Sequence, residues 1–216
     1  MGGIVTATET TRPSRTAPPE IRRKQLIDAT ITCIAKHGVS GTTLTAVTKE
    51  AGLSLGLANF HFKSKDSLLA ETLNFLAEEH RVLWTRSLKR DDLSASDKLH
   101  AIVDAQFHPR VCSRKKLSVW FAFFGEAVHR KSYRANSAHI DIERQETSAD
   151  LARQIIAEGG YETIDGESVS MMLESLFDGF WLNMLMYPER FSREQAARGV
   201  YRYLATAFPN HFEMRA

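Results

Sequence analysis

The run Ser54 to His61, SLGLANFH, carries side chains that can read nucleic-acid bases. Asn59 can form paired hydrogen bonds to an adenine edge, Leu55 or Leu57 can meet a thymine methyl, and Gly56 permits close backbone approach. Phe60 and His61 close the run, while Thr43 and Lys65 flank it with a hydroxyl and an ammonium suited to phosphate oxygens. A second set is aromatic. Trp120, Phe123 and Phe124 fall within five positions of one another, and a later segment supplies Phe177, Asp178 and Trp181. Ring faces attract a cation by roughly 0.5 to 2 kcal/mol each, and the carboxylate offers a countercharge. Both sets also have plainer readings: Ser54 and Thr43 as helix caps, the rings as packed core, and Asp178 satisfied by a neighbouring arginine.

Catalytic and metal chemistry find little support. The chain has no Gly-rich phosphate loop, no Gly-x-Ser-x-Gly elbow, no His-Glu-x-x-His pair and no Cys-x-x-Cys. Its eight histidines are scattered, and its two cysteines, Cys33 and Cys112, stand in separate helical patterns, as expected of two thiols in a reducing compartment. The expectation is a non-enzyme with no metal and no cofactor.

The elements that must position these groups all read as helices. Ile27, Ile31 and Ile34 repeat at three to four residues in a first helix from Glu20 to His37, ended by Gly38 where positive φ is wanted. Thr43 can cap a short second helix that Gly52 breaks, and Ser54 a third that runs to His61. Ser64 can cap a long fourth helix striped by Leu69, Leu73, Leu76, His80 and Leu83. Further helical patterns follow over 96–107, 113–129, 133–158, 165–187 and 192–208. Strand-like alternation is lacking, so the expected class is all-α with about nine helices. The second and third helices, joined through Gly52, form a helix-turn-helix whose second member fits a DNA major groove.

Charge divides the chain. Residues 1–65 hold nine Lys and Arg against four acids, a net +5, whereas the remainder is −3. A basic head on a mildly acidic body suits a polyanion-binding unit. The expected domains are a disordered arm (1–19), a DNA-binding domain (20–66) and a helical body for ligand binding and dimerisation (67–216). Without a signal-like or membrane-spanning apolar run, the expected location is cytoplasmic. In the body, the helix over 165–187 carries more apolar face than its own domain should bury and the last helix repeats its spacing, so Leu173, Phe180, Met184, Val200, Leu204 and Phe208 are the expected dimer contacts, in a four-helix bundle with their symmetry mates.

The order of these elements, with TTLTAVTKEAGLSLGLANFHFKSKDSLLAE, resembles the TetR family of one-component repressors. Gly52, Ser54, Gly56, Phe62, Lys65 and Leu68 match that family's motif; Thr48, Leu53 and Asn59 depart from its usual alanine, valine and tyrosine. Within the family, IRRKQLIDATITCIAKHG and LFDGFWLNMLMYP look most like the choline-responsive repressors of glycine betaine synthesis. The resemblance implies a homodimer on palindromic operator DNA, released by choline or a related quaternary ammonium; other amphiphiles, such as a drug-like cation or an acyl chain, are the alternative effectors.

Overall fold

The computed structural model describes residues 17–127 and 131–213. Nine helices and no strand occur among them: α1 (Pro19–Gly41), α2 (Leu44–Ala51), α3 (Leu55–His61), α4 (Lys65–Leu88), α5 (Ala95–Gln106), α6 (Arg114–Ala127), α7 (Lys131–Gly159), α8 (Gly166–Met186) and α9 (Arg193–Ala207). The expected arm at 1–19 lies outside the described residues except for its last three, and Pro19 already opens α1, where its missing N–H costs nothing.

Local chemistry sets the ends. Thr43, Ser54 and Ser64 each accept a backbone N–H three residues on, at 3.1, 3.2 and 3.1 Å. Ser94 with Asp97 and Ser192 with Gln195 form reciprocal capping boxes on α5 and α9. Gly38 (φ 69°) kinks the end of α1 at the position where the sequence expects the helix to stop. Gly52 (φ 65°, ψ 32°) ends α2 in the left-handed region, which a side chain with a Cβ adopts only at a cost.

In the head, Val47 and Ala58 are fully buried in the core that also takes Leu26, Phe62, Leu68 and Leu69, with α2 packed on α1 and on α3, and α1 on α4. Burying each of the larger apolar side chains stabilises this corner by about 1.5 to 3 kcal/mol. Arg23 lies 5.1 Å from the Phe62 ring centre and pairs with Glu71. In the body, α7 and α8 pack along one another, α4 and α5 lie against α7, and α9 closes on α8 and α5. The α4 helix runs unbroken across the expected boundary at 66/67, and α6 packs on α1, where Lys115 Nζ donates to Thr32 Oγ1 at 2.6 Å. Two helices therefore link body to head.

Among the described residues no helix is long and apolar enough to cross a membrane. Leu173, Met184, Val200, Leu204 and Phe208 differ from expectation. All five are buried within the single chain, and Phe180 rests on α9, where a Cβ on Gly199 would stand 2.5 Å from its ring. These side chains build the body's own core. The outward apolar stripe of α8 is instead Met171, Met172, Leu182 and Met186.

Candidate nucleic-acid interface and ligand cavity

The exposed side of α3 carries Leu55 (46% exposed), Gly56, Asn59 and Phe60 (78% exposed), with Leu57 and His61 half-buried at its flanks. An exposed phenylalanine and leucine on one short helix leave apolar surface in water, which favours an occupant from outside. Gly56 supports this. Nothing but Ser54 Oγ, at 4.0 Å, lies near where its Cβ would sit, so packing within the chain does not demand glycine. A mid-helix glycine costs about 0.5 to 1 kcal/mol relative to alanine, and close approach by an outside partner accounts for it.

The surrounding charges are more selective than the net +5 suggests. Arg23, Lys24 and Lys36 are engaged by Glu71, Asp28 and Glu50. Lys49 and Lys63 are exposed beside the corner, and Thr43 and Ser54 are exposed at helix N-termini, where backbone N–H groups favour anions. The first-turn ammonium of Lys65 donates to the Ser40 carbonyl at 3.3 Å, which tethers it at the edge of the corner.

Trp120, Phe124, Phe177, Asp178 and Trp181 come together around a cavity of about 200 Å³. Phe123 does not join them: at 1% exposure it points into the core, one position away from the wall that Phe124 lines. Trp120 and Trp181 face each other across 6.2 Å between ring centres, inclined by 33°, and Phe124 lies 6.2 Å from Trp120. The Trp181 indole Nε1 donates to the Gln106 carbonyl at 3.0 Å, which fixes the ring. The cavity is closed where His80, Gln106 and Phe177 are buried and opens past Phe124, Gln145 and Asp178, which are exposed.

The rest of the lining was not anticipated from sequence: His80, Gln106, Asp141, Arg144, Gln145 and Glu174, from α4, α5, α7 and α8. His80 alone gave a signal, as a histidine on an apolar stripe. Arg144 pairs with Glu174 and Asp141, which leaves three carboxylates against one guanidinium around the cavity. Asp178 makes no hydrogen bond to Arg144. Surrounding protein and the nearby Glu174 carboxylate push its pKa up, and burial does the same to Asp141. His80 is held neutral, its pKa well below the usual value because of burial and the Arg144 charge. Rings on one wall and excess negative charge on another favour a cation.

Residues 26–72 match the model for bacterial regulatory proteins of the tetR family, and residues 95–209 match that for the C-terminal domain of BetI-type transcriptional repressors. The chain belongs to the TetR family, with a BetI-type C-terminal domain. Its relatives in the family are transcriptional regulators rather than enzymes. The HTH-type transcriptional regulator BetI of Paraburkholderia xenovorans is 31% identical over 190 residues, covering 86% of this chain and 92% of the relative. Among solved TetR-like folds, a transcriptional regulator of Pseudomonas aeruginosa PAO1 superposes with a TM-score of 0.78 at 28% identity, covering 90% of this chain and 94% of the other. A regulator of Saccharomonospora viridis solved in complex with choline superposes at 0.75, with 19% identity and 86% and 96% coverage; at that identity the likeness is one of fold. The tetR-family match covers the helix-turn-helix head, and the BetI-type match covers most of the body that holds the cavity.

Proposed function

We propose that this TetR-family repressor binds a palindromic operator as a homodimer and releases it when choline, or a related quaternary ammonium, enters the cavity of the body. The observation that carries the effector reading is the pairing of a Trp120–Trp181–Phe124 wall with three carboxylates opposed by a single arginine. A permanently charged, weakly hydrated cation gains from both walls and carries no proton to lose.

Thr43, Ser54, Leu55, Gly56, Leu57, Asn59, Phe60, His61 and Lys65 form the operator surface, with Asn59 and the two leucines on base edges and the capped N-termini and Lys65 on phosphates. The second copy covers the outward α8 stripe, which brings two recognition helices to half-sites about 34 Å apart. His80 on α4 lines the cavity, and the same helix begins at Lys65, about 22 Å away along its axis at 1.5 Å per residue. A ligand that fits a tilted α4 better than the straight one shifts the equilibrium toward the spacing that fails on the operator.

Calorimetry and thermal unfolding with choline, betaine aldehyde and the uncharged analogue 3,3-dimethylbutanol test this. At 100 times Kd a ligand stabilises by about 2.7 kcal/mol, or roughly 5 to 10 °C in Tm for a chain of this size. Choline is expected to give that shift and the uncharged analogue none. Equal responses, or none to either cation, would transfer the cavity to another amphiphile.

A further inference from the structure

The closed end of the cavity holds two polar side chains that the fold leaves unsatisfied. His80 is 3% exposed and Gln106 is 1% exposed, and among the described residues neither His80 Nε2 nor Gln106 Nε2 has a hydrogen-bond partner. Leaving such buried atoms unpaired is costly. The Trp181 Nε1 donor at this end is already engaged by the Gln106 backbone carbonyl, so it offers these nitrogens nothing. Trp181 also ties the end to the aromatic wall, with its ring centre 6.0 Å from that of His80 and 6.2 Å from that of Trp120.

The two nitrogens restrict what satisfies them. An amide Nε2 only donates, whereas Nε2 of a neutral imidazole donates in one tautomer and accepts in the other. An ammonium group would leave the Gln106 Nε2 donor unmatched. A carboxylate would bring a fourth negative charge among Asp141, Glu174 and Asp178. A hydroxyl accepts from Gln106 and either donates to or accepts from His80, so it serves both nitrogens in either tautomer.

We propose that His80 and Gln106 form an oxygen-reading site at the closed end, which hydrogen-bonds the hydroxyl of a short hydroxyalkyl quaternary ammonium whose cationic head lies between the tryptophans and Asp178. This rests on the cationic-effector reading above and adds to it the residues that set specificity among cations.

The test compares choline with propyltrimethylammonium, in which a methyl replaces the hydroxyl, by calorimetry on the full-length protein. Wild type is expected to bind choline about tenfold more tightly. Gln106→Leu keeps the size of the side chain and the backbone carbonyl that Trp181 uses; it is expected to remove most of the preference while holding propyltrimethylammonium within about threefold of its wild-type affinity. Equal binding of the two cations by wild type, a comparison that needs no variant to fold, would overturn the oxygen site and leave the cationic reading standing. So would a Gln106→Leu protein in which both cations weaken alike. Binding of neither cation by wild type would defeat the cationic reading, and the oxygen site with it.

Discussion

Arg144 on α7 grips Glu174 on α8 with two prongs of its guanidinium, Nε lying 2.9 Å from Oε1 while a terminal N–H meets Oε2. A third contact, 3.2 Å long, reaches Asp141. With its side chain 9% exposed, Arg144 is the only cationic side chain lining the ligand cavity among the described residues. It pins the two helices whose packing shapes the cavity, and it leaves Asp178 free to face a ligand.

Removing one partner of such a pair strands the other. Arg144→Met is expected to lower stability by about 3 kcal/mol, read as a fall in the urea midpoint, because Glu174 and Asp141 lose their counterion in a partly buried site. A loss under about 1 kcal/mol would mean that the pair is screened and does not hold α7 to α8.

The position of the apolar stripes separates core from interface. Leu182→Glu, on the outward face of α8, is expected to give a folded monomer by sedimentation with little change in helicity. Leu204→Ala, at 0% exposure, is expected to cost about 2 to 5 kcal/mol of stability while leaving the dimer intact where the protein is folded. The opposite pattern would return the dimer contacts to Leu204 and its neighbours.

On the operator, base and phosphate contacts have different signatures. Asn59→Ala is expected to reduce discrimination at one base pair of each half-site by about 1 to 3 kcal/mol. Lys65→Ala should instead weaken binding to all sequences and flatten the plot of log K against log salt by about 0.9 per lost phosphate contact, so about 1.8 for a dimer. Sequence-selective loss from Lys65→Ala would reverse these assignments.

Effector affinity should depend on pH through the protein alone, since a quaternary ammonium does not titrate. Desolvation by the surrounding protein, with Glu174 beside Asp178, raises the pKa of Asp178 and Asp141, and a bound cation favours their ionised forms. Binding therefore releases protons, and affinity climbs as pH rises through these elevated values, then levels off. Unliganded, the same raised pKa values contribute stability at low pH that is lost as the carboxylates ionise, so the thermal shift given by choline should grow over the same window. A flat profile from the ordinary carboxylate range up to neutrality would remove the carboxylates from the site.

The DNA-binding corner was legible in sequence because its signals are local. Thr43, Ser54 and Ser64 cap helices within three residues of themselves, and Gly38 and Gly52 mark the chain's turns by their own backbone freedom. The apolar stripes were legible as stripes but not as faces. Periodicity shows two adjacent apolar stripes on α8 and one on α9, and nothing in it says which side meets the chain's own core, so it does not tell the inward Leu173 and Leu204 from the outward Met171 and Leu182. The same limit separates Phe123 from its neighbour Phe124, which points to the cavity. The polar lining was hidden further still, because His80, Gln106, Arg144 and Glu174 meet only once four helices have packed.

The most direct test of the account is fluorescence anisotropy of a labelled duplex, chosen from random DNA by its binding to this protein and then titrated with choline. An enriched palindrome whose bound fraction falls as choline saturates the cavity is the expected result. A palindrome that stays bound while calorimetry shows choline in the cavity would contradict the account at its centre, the link from that cavity through α4 to the recognition helix.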